Sequence, residues 1–358
     1  MSHKKLFIPG PVEVHPDVLA AMSTPQISHR GKECSELQKR ITEKMRNIVF
    51  SQNPIIISTS SGSGMMEMAV RCCTAKRAIV FSIGAFGNRW HEIAEGNGVP
   101  ADKHEVQWGT GITPEMVDAY LSTGKYDCLT ITHNETSTGV ENNLSRFVDI
   151  FKKYPDVVVC VDAVSSLGGV KIEIDKLGLD VVVSSSQKAF GLPPGLSFGI
   201  VSPKAEERAR TVKNRGYYFD MLVLLKFIKE KDFQYPSTPS LAHMFALDLQ
   251  LDRIMKEGVE NRFKRHQELA KMVRTWAKKN FKLFAQEDVA SATVTAIENT
   301  RGISVKDLNA ELGKRFIEIS NGYGGLKEKT FRIAHMADMQ KKDIQEVLDA
   351  IDDILKLR

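Results

Sequence analysis

The chain has 358 residues, 42% hydrophobic and 26% charged, the make-up of a globular protein too long for one small core. Its 49 basic and 44 acidic residues give a formal charge of +5 and are mixed along the chain, with no Lys/Arg run interleaved with aromatics, which argues against nucleic-acid binding. Five cysteines (Cys34, Cys72, Cys73, Cys128 and Cys160) form no C-x-x-C pair, so neither a metal site nor a disulfide framework is indicated; without a signal-like or bilayer-spanning apolar stretch, a cytoplasmic protein with no membrane contact is expected.

The N-terminal arm, residues 1–16, is rich in Pro and Gly and reads as extended. Short β-branched runs then predict strands at Ile55–Ser58, Ala78–Ile83, His104–Trp108, Cys128–Thr132 and Val157–Val161. Between them, helical periodicity predicts helices at Met65–Cys72, Asn88–Glu95, Pro114–Leu121 and Leu144–Phe151. Val181–Ser184 and Phe198–Val201 extend the strand series. Alternation of this kind implies an α/β fold with a mainly parallel sheet covered by helices. After Tyr235–Pro239 the texture changes. A long helix carries Val259, Phe263, Leu269, Val273 and Trp276 on one stripe, strands follow at Ala292–Ile297 and Phe331–His335, and Asp343–Leu355 closes the chain as an amphipathic helix. The expected organisation is a large domain over residues 17–241 and a smaller C-terminal α+β domain over 242–358.

Ligands of open parallel sheets gather at the carboxyl ends of the strands, and unusual residues fall at several of these ends. Thr59-Ser-Ser-Gly-Ser-Gly64 joins a strand to a helix, where small residues and free N–H groups suit a phosphate; a helix N-cap explains the same residues. No Gly-Lys-Ser/Thr follows, and Glu67 stands where a dinucleotide fingerprint needs its third glycine. Asp162 ends the run Val-Val-Val-Cys-Val, where a carboxylate is costly without a fixed partner. A protonated pyridine nitrogen would serve, as would a helix cap or a loop ion pair. Lys188, bracketed by serines, a glycine and two prolines, sits in a tight loop rather than on a solvated helix. Burial or a neighbouring cation would favour the neutral amine that forms an imine.

In order and spacing, Thr132-His-Asn-Glu-Thr-Ser-Thr-Gly139, Val161-Asp-Ala-Val-Ser-Ser-Leu-Gly-Gly169 and Ser186-Gln-Lys188 resemble the class V aminotransferases. These pyridoxal 5'-phosphate (PLP) enzymes include alanine-glyoxylate, serine-pyruvate and phosphoserine aminotransferases. The similarity runs from Pro9-Gly-Pro11 to Phe331-Arg-Ile333. It implies a large PLP-binding domain built on a seven-stranded type of sheet. It implies Lys188 as Schiff-base lysine and proton shuttle, and Asp162 as partner of the pyridine nitrogen, which makes the ring an electron sink. Phe86 would stack on the ring, where several relatives carry tryptophan. Val164 would pack the opposite face and Thr136 would bond the 3-hydroxyl. Ser61, Gly62, Ser63 and Gln187 would hold the phosphate, and Tyr235 and Thr238 would reach it from a neighbouring subunit, implying a homodimer with shared sites. Arg332 would fork the substrate α-carboxylate, although an arginine in a strand pattern can equally face solvent.

Related chemistry of the cysteine desulfurase type is disfavoured, since no cysteine follows Cys160 and Gln187 rather than histidine precedes Lys188. A NAD-binding oxidoreductase is disfavoured by the broken glycine fingerprint, and a catalytically silent scaffold by the retained Lys188 and Asp162. The expected activity is amino transfer from a small amino acid, alanine or serine, to glyoxylate or pyruvate. The alternative is phosphoserine with 2-oxoglutarate, because His29-Arg30 resembles a phosphate-contacting pair. Some small-amino-acid relatives also carry it, and an arginine that phosphoserine enzymes place in the glycine-rich loop is absent.

Overall fold

A computed structural model of the chain describes residues 3–357; the first two residues of the arm and the last residue of the C-terminal region lie outside the described residues. A seven-stranded sheet runs in the spatial order Ile55–Ser58, Ser197–Val201, Val181–Ser185, Val158–Asp162, Cys128–Thr132, Ala78–Ser82, Ala101–Glu105. Only Ser197–Val201 opposes its neighbours; the remaining ladders are parallel. The three central strands Val181–Ser185, Val158–Asp162 and Cys128–Thr132 are buried along their whole length, and the first two open on unbroken apolar runs, as strands covered on both faces do. Their side chains still divide by period two. Val159 and Val161 enter the core beneath helices Lys32–Val49 and Leu241–Glu257, whereas Val158 and Cys160 enter the core with helices Gly62–Cys73 and Met221–Glu230. All five cysteines are free and buried.

The outermost strand is Ala101–Glu105, three residues before the expected His104–Trp108. It is an edge strand, paired on one side only. Its polar sequence faces water, so the apolar Val106 and Trp108 misled the periodicity. Helix Gly62–Cys73 begins three residues earlier than its periodicity indicated. The expected Leu144–Phe151 helix is a 3-10 turn, Leu144–Phe147, running into an α-helix over Val148–Lys153. The Asn143 side chain, accepting from the Ser145 N–H and hydroxyl, tightens that first turn.

A second sheet has the order Lys5–Phe7, Ile317–Asn321, Thr330–Ala334, Val294–Glu298, Lys282–Leu283. Helices Val259–Asn280, Val305–Lys314 and Lys341–Leu355 close a core over it that contains Leu269, Val273, Ile317, Phe331 and Ile344. The arm is therefore not simply an extended lead-in. Lys5–Phe7 pairs parallel with Ile317–Asn321 and buries Phe7 completely in the second core. Conversely, helix Leu241–Glu257, on the C-terminal side of the expected boundary, buries Leu247, Leu251 and Ile254 in a core of the large sheet. Among the described residues, no helix is long and apolar enough to cross a membrane.

Candidate active site

The carboxyl ends of the parallel strands converge on one cavity of about 250 Å³. Ile55–Ser58 leads into Ser61, Gly62 and Ser63, Ala78–Ser82 into Phe86, and Cys128–Thr132 into Thr136. Val158–Asp162 ends on Asp162 itself, and Val181–Ser185 leads into Gln187 and Lys188. The arm supplies one wall through Gly10 and Pro11. A larger cavity of about 680 Å³ lies against the arm near His15, but the charges lining it are largely paired with one another, as in Lys5–Asp343, Arg253–Asp338 and Arg262–Glu257. Most of the residues singled out from sequence gather at the smaller cavity.

Lys188 and Asp162 are 8% and 3% exposed. Burial pulls the Lys188 ammonium down to about 8, the Arg332 charge adds to this, and Asp162 opposes it. The ammonium therefore gives up its proton more readily than that of an exposed lysine. Its Nζ donates to the Pro9 carbonyl and lies 6.0 Å from the centre of the Phe86 ring. Burial likewise lifts the Asp162 carboxyl to about 7. The Val164 N–H, bonded at 2.8 Å, and the charges of Lys188 and Arg89 oppose the lift, and Glu135 adds to it. Such a carboxylate is short of partners and suits a cationic or N–H-bearing ligand.

The Ser61–Ser63 part of the lining suits an anion. Ser61 is the N-cap of the 12-residue helix Gly62–Cys73 and makes no side-chain cap bond, leaving the first N–H groups of that helix for a ligand. Nearby, Ser185 Oγ and Gln187 Oε1 are buried and have no hydrogen-bond partner among the described residues. Gly62 is needed there: a Cβ would come within 2.6 Å of Val164 Cγ2. A phosphorylated aromatic cofactor fits this donor set, which brings a helix N-terminus and a buried carboxylate to one cavity.

Above the cavity, Arg89 stacks on Phe86, its Cζ 4.7 Å from the ring centre, and donates to the Tyr323 hydroxyl at 3.0 Å. The Phe86 and Tyr323 rings stand 5.4 Å apart. Glu135, fully buried, accepts from the N–H groups of Phe86 and Gly87 at 3.0 Å each and from Ser137, which fixes the turn carrying Phe86. Arg332 is buried on Thr330–Ala334, not turned to solvent. It donates to the Asn321 carbonyl at 3.1 Å and to the Thr136 carbonyl at 3.1 Å. Burial lowers its pKa to about 10, against the charge of Glu135.

Of the residues singled out from sequence, Ser61, Gly62, Ser63, Phe86, Thr136, Asp162, Val164, Gln187 and Lys188 line the one cavity, and Arg332 adjoins it through Thr136. Thr136 Oγ1 lies 2.6 Å from Ser165 Oγ. Four others lie elsewhere in the chain. Arg30 does not face the cavity: its guanidinium donates to the Tyr235 and Pro236 carbonyls and packs 5.6 Å from the Phe227 ring. His29 is half-buried outside the lining. Tyr235 is buried, and among the described residues its hydroxyl has no hydrogen-bond partner. Thr238 is exposed on the same segment, and that segment meets the anion end where Ser240 N–H donates to Thr59 Oγ1 at 2.9 Å. Sequence reasoning missed Arg89, Met66, Ser185, Glu135 and Tyr323. Arg89 lies one helical turn after Phe86, and Glu135 sits inside a quoted motif; both signals were available. Tyr323 had none.

The sequence profile of the family described as aminotransferase class-V matches residues 15–347. An uncharacterized aminotransferase of Methanocaldococcus jannaschii is 37% identical over 99% of this chain and 93% of its own length. A serine–glyoxylate aminotransferase of Arabidopsis thaliana is 31% identical over 98% and 90%. Among solved structures, an alanine–glyoxylate aminotransferase from Nostoc sp. superposes with a TM-score of 0.93 at 27% identity, covering 99% of this chain and 96% of that one.

Proposed function

The chain belongs to the class V aminotransferase family, and from that premise we propose that it moves an amino group from a small amino acid, alanine or serine, to glyoxylate or pyruvate, with PLP held on Lys188. The observation that carries this reading is the meeting of Lys188, Asp162 and the Ser61–Ser63 anion site in one small cavity, with Arg332 beside them. Serine and alanine are the donors named for the relatives in Arabidopsis and Nostoc.

When bound, PLP supplies an electron sink for the bonds at the substrate Cα. The side chains do the rest. Lys188 Nζ, made easier to deprotonate by burial, takes and returns the Cα proton. The Asp162 carboxylate keeps a proton on the pyridine nitrogen through a charge-assisted bond. Ser61, Gly62, Ser63 and Gln187 hold the phosphate, Thr136 the 3-hydroxyl, and Phe86 and Val164 the two faces of the ring. Arg332 orients the α-carboxylate, its fork matching two oxygens better than an ammonium does.

The same proposal includes a homodimer in which Tyr235 and Thr238 reach a neighbouring site. It also redraws the domain division: residues 17–257 form the cofactor side, and the arm strand with residues 259–357 forms the smaller unit.

An acidic donor, phosphoserine with 2-oxoglutarate, has one observation in its favour. Arg89 lines the cavity and, among the described residues, has no ion-pair partner. A panel of alanine, serine and phosphoserine against glyoxylate, pyruvate and 2-oxoglutarate tests both. Highest kcat/KM with alanine or serine and glyoxylate or pyruvate supports the main reading; a preference for phosphoserine overturns it.

A further inference from the structure

The geometry points to Arg262 as a positioning residue that holds the Lys188 and Asp162 loops in register through a single buried guanidinium. Arg262 projects from helix Val259–Asn280 and is 1% exposed. Its Nη2 donates to the Ala189 carbonyl at 2.7 Å, one residue beyond Lys188. Its Nε donates to the Gly168 carbonyl at 3.1 Å, in the turn that follows Asp162. Its Nη1 is held by Asp338 at 2.9 Å and Glu257 at 3.0 Å. Asp338 lies just past the strand that carries Arg332. One planar group thus ties the segments bearing three site residues to the helix that links the two cores.

Several features show that this is more than a staple. The Lys188 loop is short and already tight, closed by Gly191 N–H on the Lys188 carbonyl at 2.9 Å. Gly191 has φ +73°, and a Cβ there would lie 2.9 Å from Gln250 Nε2. Gln250 in turn donates to both Asp338 oxygens at 3.2 Å. The loop is clamped from below by one network with little slack, so a shift of Ala189 passes directly to Lys188. A buried ion pair alone is weak evidence of stabilisation, because an apolar replacement can be neutral. What an apolar side chain cannot replace is the fork that reaches two backbone carbonyls on two loops.

The inference rests on Lys188 carrying the cofactor. The test compares wild type, Arg262→Lys and Arg262→Met, each loaded with PLP and measured well below its own melting temperature. Arg262→Lys keeps the charge beside Asp338 and Glu257, but one ammonium cannot span both carbonyls in the same geometry. Three quantities are read: kcat, KM, and the visible circular dichroism of bound PLP, which reports how firmly its ring is held. Loss of register at this distance is expected to lower kcat about ten- to hundredfold in both variants. KM should change less than about threefold and the visible dichroism should fall by about half or more, a pattern of lost orientation rather than lost binding. Should Arg262→Met not fold, Arg262→Lys alone decides. A variant with a lowered melting temperature but wild-type kcat and dichroism makes Arg262 a staple only and overturns the inference. Wild-type protein that acquires no visible band with PLP refutes the Lys188 reading instead, so the two failures are distinguishable.

Discussion

Replacing Asp162 with asparagine is expected to stabilise the cofactor-free protein, and to do so more strongly as pH rises. Asp162 is 3% exposed, and burial lifts its carboxyl from 3.8 to about 7. A carboxyl whose folded value lies above its unfolded one keeps a proton that the unfolded chain releases. Its stability contribution is therefore complete below the unfolded value and is lost as pH climbs to the folded one. The interval from 3.8 to about 7, at about 1.4 kcal/mol per pH unit, makes the ionised carboxylate cost about 4 kcal/mol above neutral pH. Asparagine does not titrate. Between about pH 5.5 and about pH 8 the variant should gain about 2 kcal/mol on the wild type, because roughly one and a half pH units of that interval remain to be crossed. Urea unfolding of both PLP-stripped proteins at the two pH values, followed by far-ultraviolet circular dichroism, measures the gap. Saturating PLP should reverse the order, since only the carboxylate can pair with a pyridinium. A gap independent of pH, or a wild-type apoprotein that is the more stable at the higher pH, would refute the reasoning.

Lys188→Ala should lose covalent attachment of PLP, seen as absence of the visible band after gel filtration, and transamination should fall by roughly a thousandfold or more. Near wild-type turnover would remove Lys188 from the site. Arg332→Gln should raise KM for every amino acid about ten- to hundredfold, the loss of a charge-assisted contact. Because the Arg332 charge helps hold the Lys188 pKa down, the same change should move the pH midpoint of Lys188 alkylation in the apoprotein upward; an unmoved midpoint counts against their proximity. Arg30→Ala should cost phosphoserine and alanine turnover equally, since Arg30 braces the Tyr235 and Pro236 carbonyls; a loss confined to phosphoserine would restore it as a phosphate reader. Thr238→Ala should weaken PLP retention in dialysis while light scattering still reports a dimer, and a fully active monomer would end the shared-site idea.

Much of the site was legible locally. Asp162 ends an apolar strand and Lys188 sits in a loop of small residues, so each was conspicuous for being expensive where it stood. Strands Val158–Asp162 and Val181–Ser185 were legible because burial on both faces favours an apolar run. The edge strand Ala101–Glu105 was not, because a strand paired on one side and washed on the other carries no such signature. Tertiary structure alone decided what depends on through-space meeting. It placed Lys5–Phe7 beside Ile317–Asn321, more than 300 residues later, and brought Arg332 to Thr136 and Arg262 to Ala189. It also set the Arg30 guanidinium on the Tyr235 and Pro236 carbonyls. A motif names the residue types that a reaction needs. Which way a long side chain points is set by the carbonyls and carboxylates that packing brings within reach, and those partners are distant in sequence.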